Sequence, residues 1–161
     1  MEEQKQKSLQ GIRGWLVLPL LSLIFSPLRA SFSIYKLFWP IFSEGDWQIL
    51  TTATSKAYHP LWAPFLISEL VGNIAIVIVG LIALWFFLRK SRLAPRWVIS
   101  WLAATLILVV VDFVLANQIP AVAAQKTDPE SIKELARSVI GAAIWIPYFL
   151  VSKRVKATFV N

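Results

Sequence analysis

Four stretches of the chain are almost continuously apolar, and none alternates polar with apolar residues as a half-buried strand does. Trp15 to Phe38 is the first, interrupted by Pro19, Pro27, Arg29 and Lys36. Leu61 to Leu88 follows with Glu69 as its only charge, then Trp97 to Ala116 with only Asp112. Ser138 to Val151 is the fourth and the shortest. A helix crosses the hydrocarbon core in about 20 residues. The fourth run reaches that length by extending outward, because Asp128-Pro129-Glu130 reads as an N-cap followed by proline at the first helical position. The pattern predicts an all-α integral membrane protein, one domain over residues 1–161, with four transmembrane helices at approximately 15–38, 61–88, 97–118 and 129–153. Pro19, Pro27 and Pro147 fall inside these spans, where each is expected to remove a backbone hydrogen bond and kink its helix.

The first run follows basic residues, as the apolar part of a signal peptide does. It is longer than such a segment, however, and Leu28 stands where a small residue is needed before Ala30. It is therefore read as a retained helix.

Composition agrees with a membrane setting. The chain is 57% hydrophobic and 16% charged, with a mean hydropathy of +0.65, whereas soluble domains carry about 25% charged residues. That composition argues strongly against a soluble globular enzyme. The absence of cysteine removes disulfide scaffolds, thiolate metal sites and cysteine nucleophiles from consideration. A net charge of +7 raises the question of nucleic acid, and the location of the charges answers it. Lys5, Lys7 and Arg13 precede the first helix, Arg89, Lys90, Arg92 and Arg96 join the second to the third, and Lys153, Arg154 and Lys156 follow the fourth. Only Glu2 and Glu3 oppose them on that side. The opposite loops hold Lys56, Lys126 and Lys133 against Glu44, Asp46, Asp128, Glu130 and Glu134. The bias predicts both termini and the short middle loop in the cytoplasm. The basic cluster at residues 89–92 suits anionic lipid headgroups, so the expected partner is membrane lipid and not nucleic acid. Trp15, Trp85, Trp97 and Trp101 fall near one interface and Trp39, Trp47 and Trp62 near the other. The loop over residues 39–60 reads either as a short interfacial helix on the headgroups or as a lid, and Ile119-Pro120 as the end of the third helix.

The charges left inside the spans are few. At 1.5 Å per residue, Arg29 lies roughly 13 Å below the outer end of its helix, Glu69 and Asp112 about 12 Å, and Arg137 about 13 Å. Two acids and two bases, one per helix, thus fall at one level in the outer half. Asn73 is one turn deeper than Glu69 on the same face, and Asn117 sits above Asp112. One reading is an outward-open polar pocket formed by Arg29, Glu69, Asn73, Asp112 and Arg137, floored near Trp145. The other is two ion pairs, Arg29–Glu69 and Arg137–Asp112, holding the helices in register. A charge near the bilayer centre costs about 2.5–3.5 kcal/mol, and interhelical hydrogen bonds average about 0.6 kcal/mol, so glue alone is a weak reason to bury four charges. Lys36 lies near the interface and reads as a snorkelling anchor. His59, the only histidine, reads as a loop-end residue, and no metal-ligand spacing, nucleophile elbow, phosphate loop or dinucleotide fingerprint is present. No catalytic residue, metal or cofactor is expected.

Several short motifs resemble the bacterial membrane family known as domain of unknown function 2569. They run from Gly11-Ile12-Arg13-Gly14-Trp15-Leu16 through Ser26-Pro27, Glu69 with Gly72-Asn73, Phe86-Phe87, Pro95, Asp112 and Ile119-Pro120. The most specific group is Ile144-Trp145-Ile146-Pro147-Tyr148-Phe149 with Ser152, Arg154-Val155-Lys156 and Thr158-Phe159. The resemblance implies a four-helix inner-membrane protein of a bacterium and no particular activity. The family pattern includes the acid and asparagine of the second helix and the acid of the third. The functional expectation is a non-enzymatic protein that binds or conducts a small solute, ion or lipid headgroup. The alternative is an accessory or scaffold subunit whose intramembrane charges hold helices or a partner together, either a second copy or another membrane protein.

Overall fold

The first apolar run folds as α1, Val17–Ser43, entered through a 3-10 turn at Gly14–Leu16. In the computed structural model, which describes residues 10–123 and 129–161, α1 continues past Phe38. Aromatic residues one turn apart explain the extension. Tyr35 packs on Trp39 with ring centres 5.6 Å apart, and Phe38 on Phe42 at 6.3 Å, so the helix carries a stacked face through Pro40. Gly45 then ends the helix at φ 85°, a left-handed conformation that a Cβ would disfavour. The next six residues form α2, Asp46–Thr51, whose Trp47 ring lies 5.6 Å from that of Phe42. Pro27 and Pro40 lie within α1, but Pro19 does not interrupt it. Pro19 occupies the first turn, where backbone N–H groups have no intrahelical acceptor in any case.

The remaining elements are α3, Trp62–Leu88, α4, Ala94–Ala116, α5, Pro120–Ala123, α6, Pro129–Val151, and α7, Lys153–Thr158. Among the described residues, four helices are long and apolar enough to cross a membrane. His59 closes the approach to α3: its Nδ1 accepts from the Leu61 N–H at 3.3 Å and its carbonyl from Trp62 at 3.0 Å. α4 ends at Ala116, before Ile119-Pro120, because Pro120 opens α5. Pro147 lies within α6, where it leaves the Ala143 carbonyl without its usual donor. Asp128, expected to cap α6, lies outside the described residues, as do Lys5 and Lys7.

The long helices pack as a row. α3 lies against α1 and α4, and α4 lies against α6, while α1 and α6 share no packed seam. Close approach within the row depends on two glycines of α3. A Cβ on Gly80 would lie 3.0 Å from Trp101 Nε1 and 3.4 Å from Pro27 Cγ, so α1, α3 and α4 converge on that one hydrogen. A Cβ on Gly72 would collide with Leu108 Cδ1 of α4.

The core is concentrated at the end that carries the α3–α4 turn. There Leu23, Phe87, Ala94, Val98, Trp101, Phe149, Val155 and Phe159 are buried together. α7 belongs to this core and is not a solvated tail. Ser152 caps it by accepting from the Val155 N–H, and Phe159 inserts edge-on against Phe87 with ring centres 4.9 Å apart. The residues beyond α7 pair with the turn. The Arg92 N–H donates to the Asn161 carbonyl at 2.7 Å, the Asn161 N–H to the Lys90 carbonyl at 3.2 Å, and Arg92 Nε to the Val160 carbonyl at 2.8 Å. These bonds hold Lys90 at φ 51°, an uncommon conformation for a residue with a side chain. Most other large apolar side chains, such as Phe25, Ile78, Ile107 and Ile144, face outward, as lipid contact requires.

Phe159→Ala is expected to lower the thermal midpoint of the detergent-solubilised protein by the equivalent of about 3 kcal/mol. Val160→Ala, at a half-exposed neighbour, should change it by less than about 0.5 kcal/mol. Equal midpoints for the two variants would contradict the placement of the C-terminal segment in the core.

Candidate functional site

Toward the opposite end a cavity of about 340 Å³ lies among the helices, within the size range of small-ligand pockets. Each long helix contributes polar groups: Arg29 and Ser33 from α1, Glu69 and Asn73 from α3, Asp112 from α4 with Asn117 just beyond it, and Ser131 and Glu134 from α6. Phe38, Leu108, Val109 and Phe113 supply apolar wall. Formal charge inside is negative, with three carboxylates facing one guanidinium.

A second cavity of about 580 Å³ continues from the first between α1, α4 and α6. Arg29, Val109 and Glu134 line both. Its remaining wall is largely apolar, with Phe25, Leu28, Trp101 and Leu102, and it carries Arg137 beside Ser22, Ser26, Thr105 and Ser138. Trp101 floors this space, its ring backed by Gly80.

The polar groups are unevenly satisfied. Arg29 and Glu134 form an ion pair at 3.4 Å across the gap between α1 and α6, both side chains largely exposed. Asn73 donates to the Glu69 carbonyl one turn earlier at 2.9 Å, and Asn117 to the Phe113 carbonyl at 2.6 Å. Both amides are thereby held along their own helices at the cavity wall. Asp112 Oδ1 is buried without a hydrogen-bond partner among the described residues. Arg137 likewise has no ion-pair or hydrogen-bond partner among them. A buried acceptor without a donor costs about 1–3 kcal/mol, so the fold does not account for Asp112 as a stabilising contact. Among the described residues there is no group of three or more His, Asp or Glu placed to hold a metal.

The structure therefore brings Arg29, Glu69, Asn73 and Asp112 to one cavity and sets Arg137 in the adjoining one. The ion pairs Arg29–Glu69 and Arg137–Asp112 do not form. Arg29 instead meets Glu134, because α6 lies across the gap from α1 and presents Glu134 and Arg137 one turn apart on that side. Trp145 is not the floor of the pocket. It lies about 12 Å farther along α6 than Arg137 and packs against Trp15 and Tyr148 at the closed end, with ring centres 6.4 and 5.5 Å away. Glu134, Ser33 and Ser131 also line the pocket, and the apolar pattern of the sequence does not single them out. Glu134 counts with the outer-loop acids by position, although its spacing to Arg137 on a helix starting at Pro129 would have pointed to the same face.

A row of four long apolar helices with charged residues converging between them defines a multi-pass integral membrane protein. The chain belongs to the DUF2569 family, described as proteins of unknown function, whose model matches residues 9–160. It is similar to "Inner membrane protein YdgK" of Escherichia coli (strain K12), with 26% identity over 162 residues, covering 94% of this chain and 95% of the relative. The four helices and this relative identify a multi-pass inner-membrane protein. No solved structure matches the chain.

Asp112→Asn is expected to raise the thermal midpoint in detergent by the equivalent of about 1 kcal/mol, since it removes an unpartnered charge while keeping its shape. A fall of similar size would mean that the carboxylate supports the fold through a partner.

Proposed function

We propose that this protein is a non-enzymatic membrane protein that binds or conducts a small polar or charged ligand through the cavity between its four helices. The ligand classes that suit the site are a small solute, an ion or a lipid headgroup. The observation that carries this reading is the convergence of Arg29, Glu69, Asn73, Asp112 and Glu134 on one cavity of about 340 Å³, with Asp112 Oδ1 buried and unpartnered. Charged groups from all four helices converging on a space large enough for a ligand favour binding over a purely structural role. Pro27 lies close to Arg29 in α1, and a bend there would open the helix backbone toward the cavity.

The direction in which the cavity opens follows from charge. Basic residues crowd the α3–α4 turn and α7, which supports a cytoplasmic location for both termini and for the closed end. The cavity then faces the periplasm.

The chain lacks cysteine, so a single introduced thiol is a clean probe of access. In intact cells a membrane-impermeant maleimide is expected to label Asn117→Cys at the cavity wall and to leave Lys153→Cys unlabelled until lysis. The reverse pattern would overturn the orientation. An Asn117→Cys protein that resists labelling both before and after lysis would overturn an open cavity.

A further inference from the structure

The two cavities differ in chemistry along the membrane normal, and the order of that difference points to a ligand class. Glu69 and Asp112 line the outer chamber alone. Arg29 stands where the chambers meet, and Arg137 lies one helical turn deeper than the shared Glu134. Below the two arginines the space is walled by Phe25, Leu28 and other apolar side chains, and it lies in the unpacked gap between α1 and α6. Phe25 and Leu28 are themselves largely exposed, so the lower chamber opens sideways toward lipid. Glu69 and Asp112 thus border the outer chamber, the Arg29–Glu134 pair its junction with the lower one, and Arg137 with apolar side chains the groove beyond. An outer-leaflet phospholipid with an amine headgroup presents ammonium, phosphate and acyl chain in that same order.

We propose that the occupant is one such aminophospholipid, entering between α1 and α6. Its ammonium would meet Glu69 and Asp112, its phosphate would meet Arg137 and displace Glu134 from Arg29, and an acyl chain would lie in the lower groove. This rests on the reading of the outer chamber as a binding site and names its ligand. Several observations support it beyond charge complementarity. Arg137 has no partner among the described residues, as a group reserved for an anion would. The lower cavity, about 580 Å³, exceeds the polar chamber, which a soluble headgroup alone would not require. Gly141 also borders the groove, and a Cβ built there meets nothing within 4 Å, so the groove has room beside α6 for a chain.

The test uses the full chain carrying Asn117→Cys in detergent, titrated separately with dioleoyl phosphatidylethanolamine, phosphatidylglycerol and phosphatidylcholine, and with soluble glycerophosphoethanolamine. Lipid retained is read by native mass spectrometry and occupancy by slowed maleimide labelling of the new thiol. Phosphatidylethanolamine is expected to be retained about tenfold above the other two lipids, the scale of one charge-assisted contact. Combining Glu69→Gln with Asp112→Asn should abolish that preference. Gly141→Leu, which fills open space and improves helix propensity, should cut retention of all three lipids about tenfold without lowering the thermal midpoint. Equal retention of the three lipids by the parent protein would overturn the amine assignment, and retention insensitive to Gly141→Leu would overturn the groove. If glycerophosphoethanolamine slows labelling as well as the lipid does, regardless of Gly141→Leu, the lipid proposal fails while the pocket stands. If none of the four probes slows labelling, the lipid proposal fails, and the open cavity stands or falls on whether the maleimide itself reaches Asn117→Cys.

Discussion

A charged side chain in the hydrocarbon region needs a partner, water or a ligand, at a cost of a few kcal/mol when it has none. That constraint shapes the open half of this molecule. Arg29, Glu69, Asp112, Glu134 and Arg137 all come from the facing sides of the four long helices. One ion pair, Arg29–Glu134, is formed among them. Closing α1 onto α6 would strip the remainder of solvent without supplying partners.

The closed half has the complementary design. Small residues of α3 admit Trp101 and Pro27 close to the backbone, and aromatic rings from α3, α6 and the C-terminal segment meet edge-on around Phe87. The C-terminal residues bond to the α3–α4 turn, tying the end of the chain to its middle. A well-packed end can hold four helices together while α1 and α6 stay apart, so a cavity need not destabilise the whole. Stability and access are separated along the helix axis.

Much of this was legible in the sequence because the signals were long. Largely apolar runs of twenty residues or more, three of the four, permit little but spanning helices, and the rarity of charge within them singles out Arg29, Glu69 and Asp112. The features that were not legible rest on short or ambiguous signals. Trp39-Pro40 reads as a helix end, although Tyr35/Trp39 and Phe38/Phe42 already have the one-turn spacing that carries α1 to Ser43. Thr158-Phe159 follows a basic cluster, and nothing local announces that Phe159 turns back into the core. The partner of Arg29 depended on which helices face each other, and spacing along one chain does not determine that. Charge balance suggested Glu69, while the row order of the helices delivers Glu134.

The unpacked gap between α1 and α6 is the feature on which both the cavity and its proposed ligand depend. It is tested most directly by pairing Ser33→Cys with Ser131→Cys, positions on α1 and α6 that line the outer chamber of a chain otherwise free of cysteine. A disulfide requires Cα atoms within about 7 Å. Under mild oxidation in membranes the pair should remain reduced, yet be bridged by a long bis-maleimide. Rapid disulfide formation, at the rate of a pair placed on the packed α3–α4 face, would mean a closed bundle and contradict the account.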